Sequence, residues 1–142
     1  MEETGIVQDM PVSNSDEVAS SAQEMIDQAK KDFVKFKETN PNAQPNNVKI
    51  YIKFLNRLMK AANNINELSP ADRETYYHIV YNSTVAMYDI CRMLRKGNYH
   101  KEAAKYYAFI VLCCNTNIIL TAPKYLSWRV KNYIELAGSY AD

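Results

Sequence analysis

Between residues 76 and 142 the apolar side chains return at three- and four-residue steps, in two runs hinged at Gly97. That period belongs to amphipathic helices, not to the two-residue alternation of a half-buried strand. Only three glycines (Gly5, Gly97, Gly138) and five prolines occur in 142 residues, so few positions favour tight hairpin turns. An all-β fold is disfavoured on that ground. The sequence predicts an all-α fold: four to five helices in an antiparallel, tetratricopeptide-like arrangement.

Residues 1–13 carry Pro11 and no period, and read as a flexible tail. Residues 14–142 read as a single helical domain. Asn14 followed by Glu17 resembles a capping box that opens a helix. Val18, Ala22, Met25, Ile26, Phe33 and Phe36 share the face of that helix. Asn and Pro at residues 40–47 break it. A second helix over about 47–64 has the stripe Val48, Tyr51, Ile52, Leu55, Leu58, Met59 and Ala62. Ser69, Pro70 and Asp72 give a strong start signal for a third helix reaching Gly97, which suits a C-cap after Arg95 and Lys96. A fourth helix starts near Tyr99 and weakens at residues 115–117. A fifth follows Pro123, with Leu126, Val130, Tyr133, Ala137 and Tyr140 as its stripe. Its pattern is still strong at Asp142, so the sequence reads as a truncated part of a longer helical scaffold. The turn Gly97-Asn98-Tyr99, followed by Ala103 and Tyr107, resembles one degenerate tetratricopeptide hairpin, with no second copy near a 34-residue period.

The formal net charge of +1 gives no global reason to expect nucleic acid or an anionic membrane as partner. Cys91, Cys113 and Cys114 are an odd set lying in apolar helical runs, which fits a reducing compartment better than a disulfide framework. The acidic N-terminus lacks a secretory pattern. The longest apolar run, 108–114, is too short to span a bilayer. The chain reads as intracellular and soluble, so the sequon at Asn82 is expected to stay unmodified.

Tyr81-Asn82-Ser83-Thr84 and Ile90-Cys91-Arg92 form one half of a scattered pattern; Lys124-Tyr125-Leu126, Trp128-Arg129, Tyr133, Tyr140 and Asp142 form the other. Together they resemble the N-terminal part of the cilia- and flagella-associated protein 54 family, over residues 48–142. The resemblance implies a large helical protein of the motile-cilium axoneme, building a projection of the central apparatus and supporting ciliary and sperm motility. It implies neighbouring central-apparatus proteins and microtubules as partners, and a location in cytoplasm, cytoskeleton and axoneme. Family members are much longer than this chain.

His78 and His100 have no acid or cysteine at metal-ligand spacing, and the adjacent Cys113 and Cys114 point about 100° apart on a helix. No metal or cofactor is expected. No base is placed beside a nucleophile and no Gly-rich phosphate loop exists, so no enzyme is expected. The basic cluster Arg92, Arg95, Lys96, Lys101 and Lys105, offset only by Glu102, surrounds Gly97. It reads either as a solvated helix-turn apex or as a docking tip for an acidic partner surface, such as a tubulin tail. Eleven tyrosines against four phenylalanines suit partly wet helix seams or a partner surface. Tyr125 and Trp128 lie beside the stripe of the last helix and widen it, for packing on a further helix or for contact with a partner. The leading expectation is a non-catalytic scaffold subunit of the axoneme. The runner-up is a cytosolic helical adaptor that binds peptides on a concave face of the second and third helices.

Overall fold

The computed structural model describes the backbone of residues 2–40 and 47–141, with side chains from residue 14 onward in those stretches. Six α-helices follow in chain order: α1 (Glu2–Thr39), α2 (Val48–Asn66), α3 (Pro70–Thr75), α4 (Tyr77–Lys96), α5 (His100–Thr116) and α6 (Leu126–Ala141). Two short 3-10 turns, Ile118–Thr121 and Pro123–Tyr125, join α5 to α6. No strand occurs among the described residues, and the fold is all-α. The tetratricopeptide-like arrangement remains an expectation. The tail expected over 1–13 and the breaker at 41–46 fall outside the described side chains. Asn14 lies inside α1, so it does not cap it.

The centre of the molecule is α2. Its Leu55, Leu58, Ala61, Ala62 and Ile65 are fully buried, each worth about 1.5–3 kcal/mol when the side chain is large. Phe54, Ala61 and Ile65 extend the face beyond the sequence-predicted stripe, because α2 is covered twice. On one side α1 lays down Ala22, Ile26 and Ala29; on the other α4 lays down Val80, Met87 and Leu94. The small residues Ala22, Ala29, Ala61 and Ala62 let the helices approach closely. Phe33 of α1 closes one end of this seam, with its ring 5.1 Å from Phe54 and 6.0 Å from Tyr51. These separations suit edge-on aromatic contact. A buried hydrogen bond ties the other seam: the Ser83 hydroxyl of α4 donates to the Leu58 carbonyl of α2 at 2.6 Å. Beyond this pair, α5 packs on α4 and α6 packs on α5.

The sequence suggested one helix from Pro70 to Gly97, and the structure divides it. Ser69 caps α3 as its position implied, accepting from the Asp72 backbone N–H at 3.3 Å. The backbone then turns at Tyr76 (φ −105°, ψ 22°). The break brings both of its ends onto α1. Ser15 donates to the Asp72 carboxylate at 2.8 Å, and the Tyr76 hydroxyl donates to Asp16. Propensity alone gives no warning of a break whose cause is a tertiary contact.

Candidate functional site

The Gly97 turn is closed by backbone bonds. The Gly97 N–H reaches the Met93 and Leu94 carbonyls, and the Tyr99 N–H reaches Leu94 at 2.9 Å. The left-handed position is Asn98 (φ 70°), a residue type that tolerates it, while Gly97 itself keeps a negative φ. Around this turn the basic cluster does not act as one patch. Arg95 turns inward: its guanidinium donates to the Glu135 carboxylate of α6 at 2.9 Å, and its Nε donates to His100 Nδ1 at 3.2 Å. Tyr107 donates to the same carboxylate at 3.4 Å. Arg95 therefore ties α4 to α6 and is removed from any docking tip. Arg92 and Lys96 stay exposed on the side facing α1, whereas Lys101 and Lys105 line a hollow beside Ser139 and Tyr140.

Tyr125 and Trp128 are also turned inward. Tyr125 is 8% exposed, with its ring 5.2 Å from Tyr81. Trp128, half-buried against the core, stands 5.8 Å from Tyr81 and 5.3 Å from Tyr88. Tyr81 and Tyr88 of α4, Tyr125 of the second 3-10 turn and Trp128 of α6 form one internal aromatic cluster. The Lys131 ammonium lies over the outer face of Tyr88, 4.8 Å from its centre.

The larger correction concerns α6. Its sequence-predicted stripe faces solvent: Leu126 is 55% exposed, Val130 and Tyr133 45% each, and Tyr140 72%. Ile134 joins them at 63%. The buried face is the more polar one, with Asn132 fully buried and Ser139 nearly so. At about 100° per residue, the series 128, 132, 135, 139 lies on the opposite side of the helix from 126, 130, 133, 140. The polar face is satisfied in part by its own helix, although the buried Asn132 Oδ1 has no hydrogen-bond partner among the described residues. Asn132 donates to the Trp128 carbonyl at 2.9 Å, and Ser139 to the Glu135 carbonyl at 2.8 Å. Glu135 takes Arg95, and the Tyr125–Trp128 anchor fixes the rotation. A stripe with 4-3-4-3 spacing is left exposed, with Tyr133 touched at its hydroxyl by Asn115. Leu112 of α5 and Ile118 of the connector add exposed apolar surface.

Two positions that support the packing around the site gave no signal in the sequence analysis. Gly138 sits against Arg95, and a Cβ built there would lie 2.9 Å from its Nη1. Asn117, read only as a weak point in a helix, is 2% exposed. It accepts from the Ile119 N–H at 3.0 Å and donates to the Arg73 carbonyl at 2.9 Å, pinning the connector to α3.

Little else offers reactive chemistry. Cys91, Cys113 and Cys114 are free and buried. Burial pushes the Cys113 thiol up to about 12 and Cys114 up to about 11, so neither forms thiolate readily at neutral pH. Among the described residues no group of three His, Cys, Asp or Glu is placed to hold a metal ion. No described helix is long and apolar enough to cross a membrane.

The model of one protein family, described as Cilia- and flagella-associated protein 54, matches residues 31–142. That is most of the chain, from the C-terminal quarter of α1 to residue 142. The chain belongs to the cilia- and flagella-associated protein 54 family. It is thereby a cilium- and flagellum-associated protein. No curated protein and no solved structure matches it. The residues that carried the family resemblance meet in space: Tyr81, from the first half of the pattern, touches Tyr125 and Trp128 from the second. Three of the scattered positions, Tyr81, Tyr125 and Trp128, thus share one aromatic joint between α4 and the start of α6, while Leu126, Tyr133 and Tyr140 stay exposed.

Proposed function

We propose that this chain is a non-catalytic structural element of the motile-cilium axoneme, working in a projection of the central apparatus. Its task is assembly: residues 14–142 act as one helical domain, and a neighbouring subunit covers the open stripe of α6. The observation that carries this reading is that stripe. Val130, Ile134 and Tyr140 are exposed on a helix whose polar face is already buried, in a member of a ciliary family. Apolar surface of that regularity on a domain with its own core marks a contact site. The exposed cations Lys101 and Lys105, beside Ser139 and Tyr140, supply its rim, where charge steers partners more than it holds them; Arg92 and Lys96 lie on the other side, towards α1. Arg95, Tyr125 and Trp128 support the site from inside.

Sperm and ciliary motility would then depend on the chain indirectly, through an intact projection. The test is to express a tagged copy in cells with motile cilia and extract the axonemes with high salt. Retention with the central pair supports the reading. A signal confined to the cytosol contradicts it and favours a cytosolic adaptor.

A further inference from the structure

The two helices that flank α2 do not close over it completely. Between α1 and α4 runs a groove of about 640 Å³ with Leu58 of α2 at its base. Its walls are apolar and accessible: Phe33 and Val34 from α1, Val85, Ala86 and Met93 from α4. Val34 is 54% exposed, though it lies within a helix that is otherwise well packed on α2. Along the rims stand Lys30 and Lys37 on the α1 side and Arg92 and Lys96 on the α4 side, with Asp89 as the one acid lining the groove. Among the described residues the ion pairs are Arg57–Asp32 and Arg95–Glu135, so none of the four rim cations belongs to one. Two of them border aromatic faces, Lys37 over Phe33 at 5.8 Å and Arg92 over Tyr88 at 5.9 Å.

We infer that this groove takes an acidic amphipathic helix of a partner protein, with apolar side chains on Phe33, Val34 and Met93 and carboxylates against the rim cations. A groove of this form is read by anchors at i, i+3 or i+4 and i+7. From residue 82 to 96 the α4 wall is about 21 Å long, which matches a helix of about 14 residues. Charge decides between occupants. The open stripe of α6 in a second copy would be apolar enough, but Lys124, Arg129 and Lys131 flank it and would meet like charge. The fitting partner is therefore a different chain with acidic flanks. This inference is independent of where in the cell the protein works, because it is read on the purified chain.

Three labelled helix-forming peptides of about 14 residues test it by fluorescence anisotropy. One has Leu at i, i+3, i+4 and i+7 with Glu flanks; the second has the same Leu positions with Lys flanks; the third scrambles the first. The acidic patterned peptide binds, and its affinity falls as salt rises. Charge reversal at Lys30→Glu with Lys96→Glu weakens it at least about tenfold. Val34→Glu does the same, and circular dichroism shows both variants still helical, since all three positions are exposed. Failure of the acidic peptide to bind at up to about 1 mM overturns the inference. So does equal binding of the Lys-flanked or scrambled peptide, or dimerisation of the chain that Val34→Glu abolishes.

Discussion

Replacing Gly138 by alanine isolates the contact that orients α6. In a helix interior such a change usually stabilises, by about 0.5–1 kcal/mol, because alanine restricts the unfolded chain. Here the new methyl would lie 2.9 Å from Arg95 Nη1, 3.1 Å from Nη2 and 3.3 Å from Cζ. A long side chain could usually swing aside at little cost. This one is held by Glu135 at 2.9 Å and by His100, with only 19% and 23% of the two paired side chains exposed. Moving the guanidinium weakens a charge-assisted bond worth about 1.5–3 kcal/mol, partly offset by solvent at this half-buried site. The expected net effect is destabilisation of about 0.5–2 kcal/mol, a fall of roughly 2–6 °C in Tm for a chain of this size. In an Arg95→Ala background the same change should stabilise by its ordinary increment. Thermal and urea unfolding of the four proteins of this cycle give the coupling directly. If Gly138→Ala stabilises equally in both backgrounds, the Arg95–Glu135 tie does not set the packing of α6.

Three further outcomes follow from single contacts. Ser83→Ala removes the buried bond to the Leu58 carbonyl and should cost about 1–2 kcal/mol in urea unfolding, whereas a substitution at exposed Asn82 should cost almost nothing. Asn117→Ala frees the Ile119 N–H and the Arg73 carbonyl and should cost about 1–3 kcal/mol, with hydrogen exchange rising first in the 118–125 connector. The hydrogen bond from Arg57 holds the Asp32 carboxyl below its ordinary value of 3.8. A carboxyl depressed in the folded state contributes fully above its unfolded pKa and loses that contribution as pH falls through the folded one. The Tm difference between the native chain and Asp32→Asn should therefore be present at neutral pH and shrink below about pH 4; a difference that persists in acid would refute the tie.

What the sequence makes legible, and what it hides, can be seen on α6. Periodicity located the helix and its most apolar stripe correctly, as it did the faces of α1 and α2. It could not say which face of α6 would be buried, because hydropathy ranks Asn132, Glu135 and Ser139 as solvent-facing. Glu135 is taken by Arg95, forty residues away, and Asn132 and Ser139 each donate to a carbonyl of their own helix, which offsets part of their desolvation. The same limit applies to the basic cluster, which reads as one patch until Arg95 is seen to leave it. Caps and turns were legible at Ser69 and Gly97 because their chemistry is local. The break at Tyr76 and the pinning by Asn117 were not, because both depend on partners distant in sequence.

The most direct test of the proposed role is to reverse the character of the open stripe while leaving the core alone. Val130→Glu with Ile134→Glu alters two exposed side chains and should leave the unfolding transition almost unchanged. Changing Tyr125 or Trp128 instead would confound assembly with folding. Axonemes from motile cilia expressing the tagged native chain or this variant are extracted with high salt and compared. Retention of the native chain with the central pair, and loss of the variant, is the predicted result. Equal retention of both would contradict assembly through α6.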